Sequence, residues 1–84
     1  MNITHYCDPG HGWMKVSRKS LAELNLLEKI SGYSYQNGDY VYLEEDCDAS
    51  LLVEALRERG IEIAVEESTT DKTSPIRSYE RFGV

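Results

Sequence analysis

The sequence predicts a small single-domain α+β fold in the order β-β-α-β-β-α-β, with an antiparallel sheet and two helices packed on one face. Three observations predict it. The 84 residues are 40% hydrophobic and 29% charged, which supports one modest core. Two segments repeat apolar residues at helical spacing. The other apolar segments alternate with polar residues and are bounded by turn residues, as strands in hairpins are.

The first two strands form a hairpin. Residues 2–7 and 13–16 have strand character, and the turn between them contains Pro9 and Gly10. Proline followed by glycine suits the centre of a type II turn, because only glycine adopts the required positive φ at low cost. The two strands are therefore predicted to pair antiparallel.

A helix over residues 18–25 follows the hairpin. Ser17 is the predicted N-cap, since its hydroxyl can accept a bond from a free backbone amide of the first turn. Leu21 and Leu24 recur at helical spacing and are predicted to face the core. Asn25 is predicted to interrupt the helix and to leave residues 26–30 as a separate turn.

A second hairpin is predicted around Asn37-Gly38, the strongest short-range hairpin signal in the chain. With these two residues as the loop, the opposed pairs are Gln36 with Asp39, Tyr35 with Tyr40, and Tyr33 with Tyr42. Opposed residues share a face of the sheet, so the four tyrosines are predicted to lie together and to be continued by Glu44. The other face, predicted to be the core face, carries Ser34, Val41 and Leu43.

A second helix is predicted over residues 49–59, with Asp46 or Asp48 as its N-cap and Gly60 as its stop. A last strand is predicted over residues 61–65. Residues 1–66 thus form the predicted core domain. The polar segment 67–84 is predicted to be partly packed, through Ile76, Tyr79 and Phe82, or mobile.

Charge is unevenly distributed along the chain. The net charge is −6, and residues 33–66 alone carry nine acids against Arg57 and Arg59, a net of −7. Phosphate repulsion opposes direct binding of nucleic acid by this half. The charge pattern instead favours a partner with a basic surface.

The tyrosines and the carboxylates beside them predict a partner-binding surface, since tyrosine contributes readily to protein interfaces. The predicted binding residues are Tyr33, Tyr35, Tyr40, Tyr42, Glu44, Glu45, Asp46 and Asp48. A competing interpretation is purely structural. Cross-strand aromatic pairs stabilise hairpins, the C-terminal segment can cover one face, and a helix cap explains Asp46 or Asp48.

A second candidate site consists of His5, Cys7, His11 and Cys47, which have the ligand types of a zinc site. Their spacing matches no standard finger or ribbon, so no metal is assigned to them. Cys7 as a nucleophile beside a histidine and Asp8 is a weaker alternative. No complete catalytic signature is present, and the prediction is a non-enzymatic protein without a cofactor.

The compartment follows from what the chain lacks. No apolar run approaches the length of a membrane span, and the first residues contain no secretory signal. The chain is therefore expected in the cytosol, where Cys7 and Cys47 stay reduced.

Three stretches, GHGWMKVSRKSL, ISGYSYQNGDYVYLEEDCDASL and DKTSPIRSY, resemble small uncharacterised proteins of bacteriophages and other bacterial mobile elements. The resemblance implies a bacterial cytosolic setting and a role against host defences, as in anti-CRISPR and anti-restriction inhibitors. The leading hypothesis is an inhibitor that docks its acidic, tyrosine-rich surface on a basic, nucleic-acid-binding site of a host protein. Two alternatives remain: a zinc-binding or thiol-dependent protein, and a self-associating structural or regulatory phage protein.

Overall fold

A computed structural model describes residues 1–83 and confirms the α+β class. In chain order, the strands and helices are β1 (Asn2–Cys7), β2 (Gly12–Ser17), α1 (Arg18–Glu23), β3 (Tyr35–Asn37), β4 (Tyr40–Glu44), α2 (Ala49–Glu58), β5 (Ala64–Thr69) and β6 (Glu80–Arg81). Short 3-10 helices occupy Leu27–Lys29 and Pro75–Ser78. The six strands form one sheet in the order β5-β1-β2-β4-β3-β6.

The sheet is mixed, and the prediction of an antiparallel sheet throughout was wrong at one edge. β5 pairs with β1 in parallel, whereas the other four pairings are antiparallel. The cause is the connection through α2, which carries the chain from β4 across the sheet to the far edge beside β1. A strand that returns through a helix can run parallel to its neighbour, whereas a tight hairpin cannot.

The helix boundaries follow the predicted signals closely. The Ser17 hydroxyl accepts a hydrogen bond from the Ser20 amide and caps α1. Asn25 has a φ of 58° and ends that helix, and Gly60, with a φ of 68°, follows α2. Both residues adopt the left-handed conformation that commonly terminates helices. The predicted capping role of Asp48 was wrong, because its side chain makes no hydrogen bond to α2.

The second hairpin has a different register from the predicted one. Tyr35 pairs with Tyr42 and Asn37 with Tyr40, so the two-residue loop is Gly38-Asp39. Gly38 has a φ of 60°, and glycine at the first loop position is typical of a type II′ turn. Gly38 is therefore the one residue of this two-residue loop that has a positive φ.

Both faces of the sheet are covered, but unequally. The larger core lies between the sheet and the two helices, and its buried residues are Ile3, Val16, Leu21, Leu26, Ile30, Val41, Leu43, Ala49, Leu52 and Leu56. The prediction that Val41 and Leu43 face the helices is confirmed. On the opposite face a smaller cluster of Trp13, Tyr42 and Ile76 is buried. We call this opposite side the aromatic face.

The C-terminal part of the chain contributes to both edges of the sheet. The strand predicted over 61–65 was misplaced, since β5 begins at Ala64 and ends at Thr69. Ile76 is buried on the aromatic face, Tyr79 packs beside it, and Phe82 packs against the helix-side core. Residues 67–83 thus carry the end of β5 and all of β6, and Val84 lies outside the described residues.

Candidate functional site

The eight predicted binding residues do not form one continuous surface. Tyr33 and Tyr40 are 65% and 44% exposed, and Glu45 and Asp46 are also exposed. Tyr35 is half-buried. The other three, Tyr42, Glu44 and Asp48, are buried.

Tyr42 belongs to the packed interior of the aromatic face. Its ring centroid lies 5.1 Å from that of Tyr79 and 6.3 Å from that of Tyr6. Burial and the neighbouring tyrosines raise the pKa of Tyr42 above its ordinary value. Tyr42 therefore contributes to the packing of the fold.

Asp48 connects α2 to the loop before β3. Its carboxylate accepts hydrogen bonds from the Ser31 amide, the Ser31 hydroxyl and the Ser34 hydroxyl. Ser34 is fully buried, and its hydroxyl also accepts a bond from the Glu44 amide. Asp48 therefore fixes the start of the second hairpin against α2, a structural role that its position in the sequence did not indicate.

A cavity of about 380 Å³ on the aromatic face brings four of the predicted residues together. It is lined by Tyr33, Tyr35, Glu44 and Asp46, and also by His11, Trp13, Cys47, Arg77 and Arg81. His11 and Cys47, two members of the candidate zinc set, also lie here.

The floor of this cavity contains two buried polar atoms without a hydrogen-bond partner among residues 1–83, Trp13 Nε1 and Glu44 Oε1. Trp13 and Glu44 are direct cross-strand neighbours on β2 and β4. His11 Nδ1 lies 3.6 Å from Glu44 Oε1, beyond hydrogen-bond distance. Interaction with the Glu44 carboxylate raises the pKa of the Cys47 thiol, and this disfavours the reactive thiolate.

The rim of the cavity is mixed in charge. The Arg77 guanidinium lies 5.5 Å from the Trp13 ring centroid and that of Arg81 lies 5.7 Å from the Tyr35 centroid. Two guanidinium groups thus face two carboxylates, Glu44 and Asp46. The cavity is aromatic and polar, but it is not an extension of an acidic surface.

Asp8 holds Arg77 in place. Its carboxylate accepts two bonds from that guanidinium, at 2.6 and 2.8 Å, and further bonds from the amides of Ser74, Gly10 and His11. The Arg77 guanidinium, and after it the Ser74 amide, hold the pKa of Asp8 well below its usual range. Asp8 is therefore a buried anchor for the C-terminal segment.

A second cluster lies on the helix side of the sheet. His5 and Cys7 project from the same face of β1, and Glu67 is the direct β5 partner of His5. His5 Nδ1 lies 2.8 Å from Glu67 Oε2 and 3.5 Å from Cys7 Sγ. The three side chains bring one ligand atom each within 4.8 Å of one another. His11 and Cys47 are not in this cluster, so the structure does not bring the four residues of the candidate zinc set together.

The sequence pattern did not reveal Glu67 as a neighbour of His5. That neighbourhood depends on the parallel pairing of β1 with β5, whereas the predicted sheet was antiparallel. Residues 66–69 are acidic and polar, a composition more typical of a loop than of a strand, so no local pattern marked Glu67 as part of β5.

The exposed carboxylates are spread over more of the chain than the four predicted in the binding surface. We define the acidic segment as residues 45–71. Its exposed carboxylates are Glu45, Asp46, Glu54, Glu58, Glu62, Glu66, Glu67 and Asp71. Its only basic side chains are Arg57 and Arg59. The negative charge thus extends along the exposed side of α2 and over β5.

No protein-family model, curated protein or solved structure matches this chain. Among residues 1–83, none of the helices has the length and apolar character required to span a bilayer.

Proposed function

We propose that this chain is a non-enzymatic binding protein that docks its acidic segment onto a basic surface of a partner protein. The observation that carries the proposal is the exposure of eight carboxylates against two arginines within residues 45–71. Such an excess attracts a basic surface from a distance and speeds association.

The framework under these charges is ordered. Leu52 and Leu56 fix α2 in the helix-side core, and β5 pairs with β1 over six residues. Carboxylates on a rigid scaffold lose little entropy on binding, which favours affinity. Tyr33, the most exposed tyrosine, lines the same cavity as Asp46 and is suited to be an aromatic anchor.

The specific form of the proposal is an inhibitor of a bacterial defence complex, such as a CRISPR or restriction complex. The support for this partner is the resemblance of the sequence to small bacteriophage and mobile-element proteins. Basic channels that bind nucleic acid attract phosphates, and ordered carboxylates can occupy the same positions. Nucleic acid itself is disfavoured as a partner because its phosphates repel the acidic segment.

The test compares two triple charge reversals that both bring the net charge from −6 to zero. One replaces Glu54, Glu58 and Glu66 with Lys, within the acidic segment. The matched control replaces Glu23, Glu28 and Glu80, which are exposed elsewhere. Glu44 and Asp48 are unsuitable for such a test because both are buried.

The measurements are DNA binding by purified defence complexes in the presence of each variant, and phage plaquing on bacteria that carry those complexes. The reversal within the acidic segment is expected to abolish inhibition, and the control is expected to retain it. Equal inhibition by both variants would exclude docking through the acidic segment. If the unmodified protein inhibits none of the complexes, a bacterial defence complex is excluded as its partner.

A further inference from the structure

Docking through the acidic segment does not account for the cluster of His5, Cys7 and Glu67. We propose that these three side chains form a zinc site that joins β1 to β5, with Glu45 as the group that orients His5. The site shares Glu45 and Glu67 with the acidic segment, but it does not depend on the proposed inhibitor function, because it rests on contacts within the chain itself.

The backbone itself places the three ligands. His5 and Cys7 are two residues apart on β1, so strand alternation directs both to the same face. Glu67 lies directly opposite His5 on β5 and shares that face. The arrangement therefore follows from the sheet pairing and does not depend on one chance side-chain rotamer.

The distances fit a small tetrahedral ion. With zinc bonds of about 2.3 Å to sulfur and about 2.0 Å to nitrogen or oxygen, tetrahedral geometry separates sulfur from nitrogen by about 3.5 Å. Cys7 Sγ and His5 Nδ1 are 3.5 Å apart. Nitrogen and oxygen ligands should be about 3.3 Å apart. His5 Nδ1 and Glu67 Oε2 are 2.8 Å apart, and the Glu67 side chain, which is 60% exposed, has room to move outward.

The other nitrogen of His5 has a carboxylate beside it, slightly beyond hydrogen-bond distance. Glu45 Oε2 lies 3.4 Å from His5 Nε2. When Nδ1 binds a metal, Nε2 carries the proton, and a carboxylate beside it fixes the ring orientation and raises the basicity of the ligand. This is the usual outer arrangement of zinc-bound histidines.

Gly12 makes room for this orienting contact. A β-carbon at Gly12 would overlap Glu45 Oε2 and lie 2.7 Å from His5 Nε2. The Glu45 amide also donates a hydrogen bond to the Gly12 carbonyl, at 3.0 Å. Glu45 and His5 therefore occupy, in this arrangement, space that a side chain at position 12 would otherwise fill.

Zinc is the expected ion because the donor set combines a thiolate, an imidazole and a carboxylate, which suit zinc better than calcium or magnesium. Three protein ligands leave the fourth tetrahedral position to water. The site is thus of the open kind, in which the metal can exchange that water for another ligand.

The chain offers a matched control for each ligand. Titration of the untagged, reduced protein with Zn²⁺ and Co²⁺ is expected to show one bound ion and, with Co²⁺, a thiolate charge-transfer band. The ligand variants are Cys7→Ser, His5→Gln and Glu67→Gln. The controls change the other cysteine, the other histidine and the neighbouring glutamate of β5, as Cys47→Ser, His11→Gln and Glu66→Gln.

Each ligand variant should lose the bound ion, and Cys7→Ser should also lose the charge-transfer band, whereas the three controls should keep both. Glu45→Ala should weaken zinc binding by about 10- to 100-fold while the charge-transfer band is retained at saturating Co²⁺. Circular dichroism of each variant shows whether the fold is intact. The proposal is overturned if the protein binds no ion, or if Cys47→Ser or His11→Gln abolishes binding, which would place the ion in the cavity on the aromatic face.

Discussion

The Asp8 carboxylate joins two parts of the chain that lie far apart in sequence. It bonds the turn between β1 and β2 through the amides of Gly10 and His11, and the C-terminal segment through Ser74 and Arg77. A buried carboxylate with charge-assisted bonds on both sides is strongly held. From the sequence, Asp8 was expected as a turn residue or, in a weaker alternative, beside a nucleophilic Cys7, because nothing local identifies Arg77, 69 residues later, as its partner.

Asp8→Asn is expected to lower the melting temperature, because the amide keeps the shape of the side chain but loses the charged pair with Arg77. The pH dependence should change as well. The folded-state pKa of Asp8 is depressed, so its contribution to stability is complete above the ordinary aspartate value of about 3.9 and is lost as the pH falls from there towards the depressed pKa.

Thermal unfolding between neutral pH and about pH 2 measures this contribution, since the window spans the ordinary aspartate pKa. The stability of Asp8→Asn should fall less steeply in acid than that of the unmodified protein. Asp71→Asn, at an exposed site, is the control and should reproduce the unmodified curve. Parallel curves for Asp8→Asn and the unmodified protein would show that the ion pair does not contribute.

At the scale of the element, the second hairpin shows why the face of a strand is easier to predict than its register. The observed loop moved one position towards the C-terminus, from Asn37-Gly38 to Gly38-Asp39. Tyr35 consequently changed its partner by two residues, from Tyr40 to Tyr42. A shift of two preserves the alternation of faces, so the core face was predicted correctly although no individual pair was.

β5 was misplaced for a different physical reason. All six of its residues are exposed, so no hydrophobic alternation marks the strand. Residues 61–65, just before β5, alternate more regularly between apolar and other side chains, and the strand was therefore predicted there. Pairing with β1, which no local pattern reveals, decides where β5 lies.

The 3-10 helix Pro75–Ser78 covers the aromatic face, and Ile76 is its buried contact. Ile76→Ala should lower the free energy of unfolding by about 2–5 kcal/mol, because it removes a buried side chain and leaves a cavity. It should also shift the emission of Trp13, the only tryptophan, towards that of a solvated indole, since Trp13 is 1% exposed in the intact fold.

Urea unfolding followed by tryptophan fluorescence measures both effects. Ile61→Ala serves as the control, because Ile61 is 40% exposed and its loss should change stability by less than about 0.5 kcal/mol. If Ile76→Ala leaves both the stability and the native emission unchanged, the C-terminal segment does not cover Trp13.

At the scale of the whole molecule, the acidic segment should lower the stability of the fold. Its carboxylates repel one another, and salt screens this repulsion. Raising the KCl concentration from about 0.01 M to about 1 M, where the Debye length falls from ~30 to ~3 Å, should therefore raise the melting temperature. The same change should weaken a complex with a basic partner, so salt should act on the fold and on binding in opposite directions.

Calorimetry at the two salt concentrations checks the first effect. The variant with Lys at positions 54, 58 and 66 should show a smaller salt response than the unmodified protein, because part of the repulsion is already removed. The control reversal at 23, 28 and 80 should keep a larger response. If salt changes the melting temperature of all three proteins equally, repulsion within the acidic segment does not destabilise the fold.

The parallel pairing of β1 with β5 also has a consequence for how the chain reaches its native state. Asn2 pairs with Ala64, and every pair in this ladder joins residues 62 positions apart. The hairpin of β1 and β2 can close early over a short loop, whereas β5 must wait for a large part of the chain to be ordered. Until β5 pairs, this edge of β1 lacks its backbone partner. The topology therefore predicts that this edge of β1 is covered late in folding.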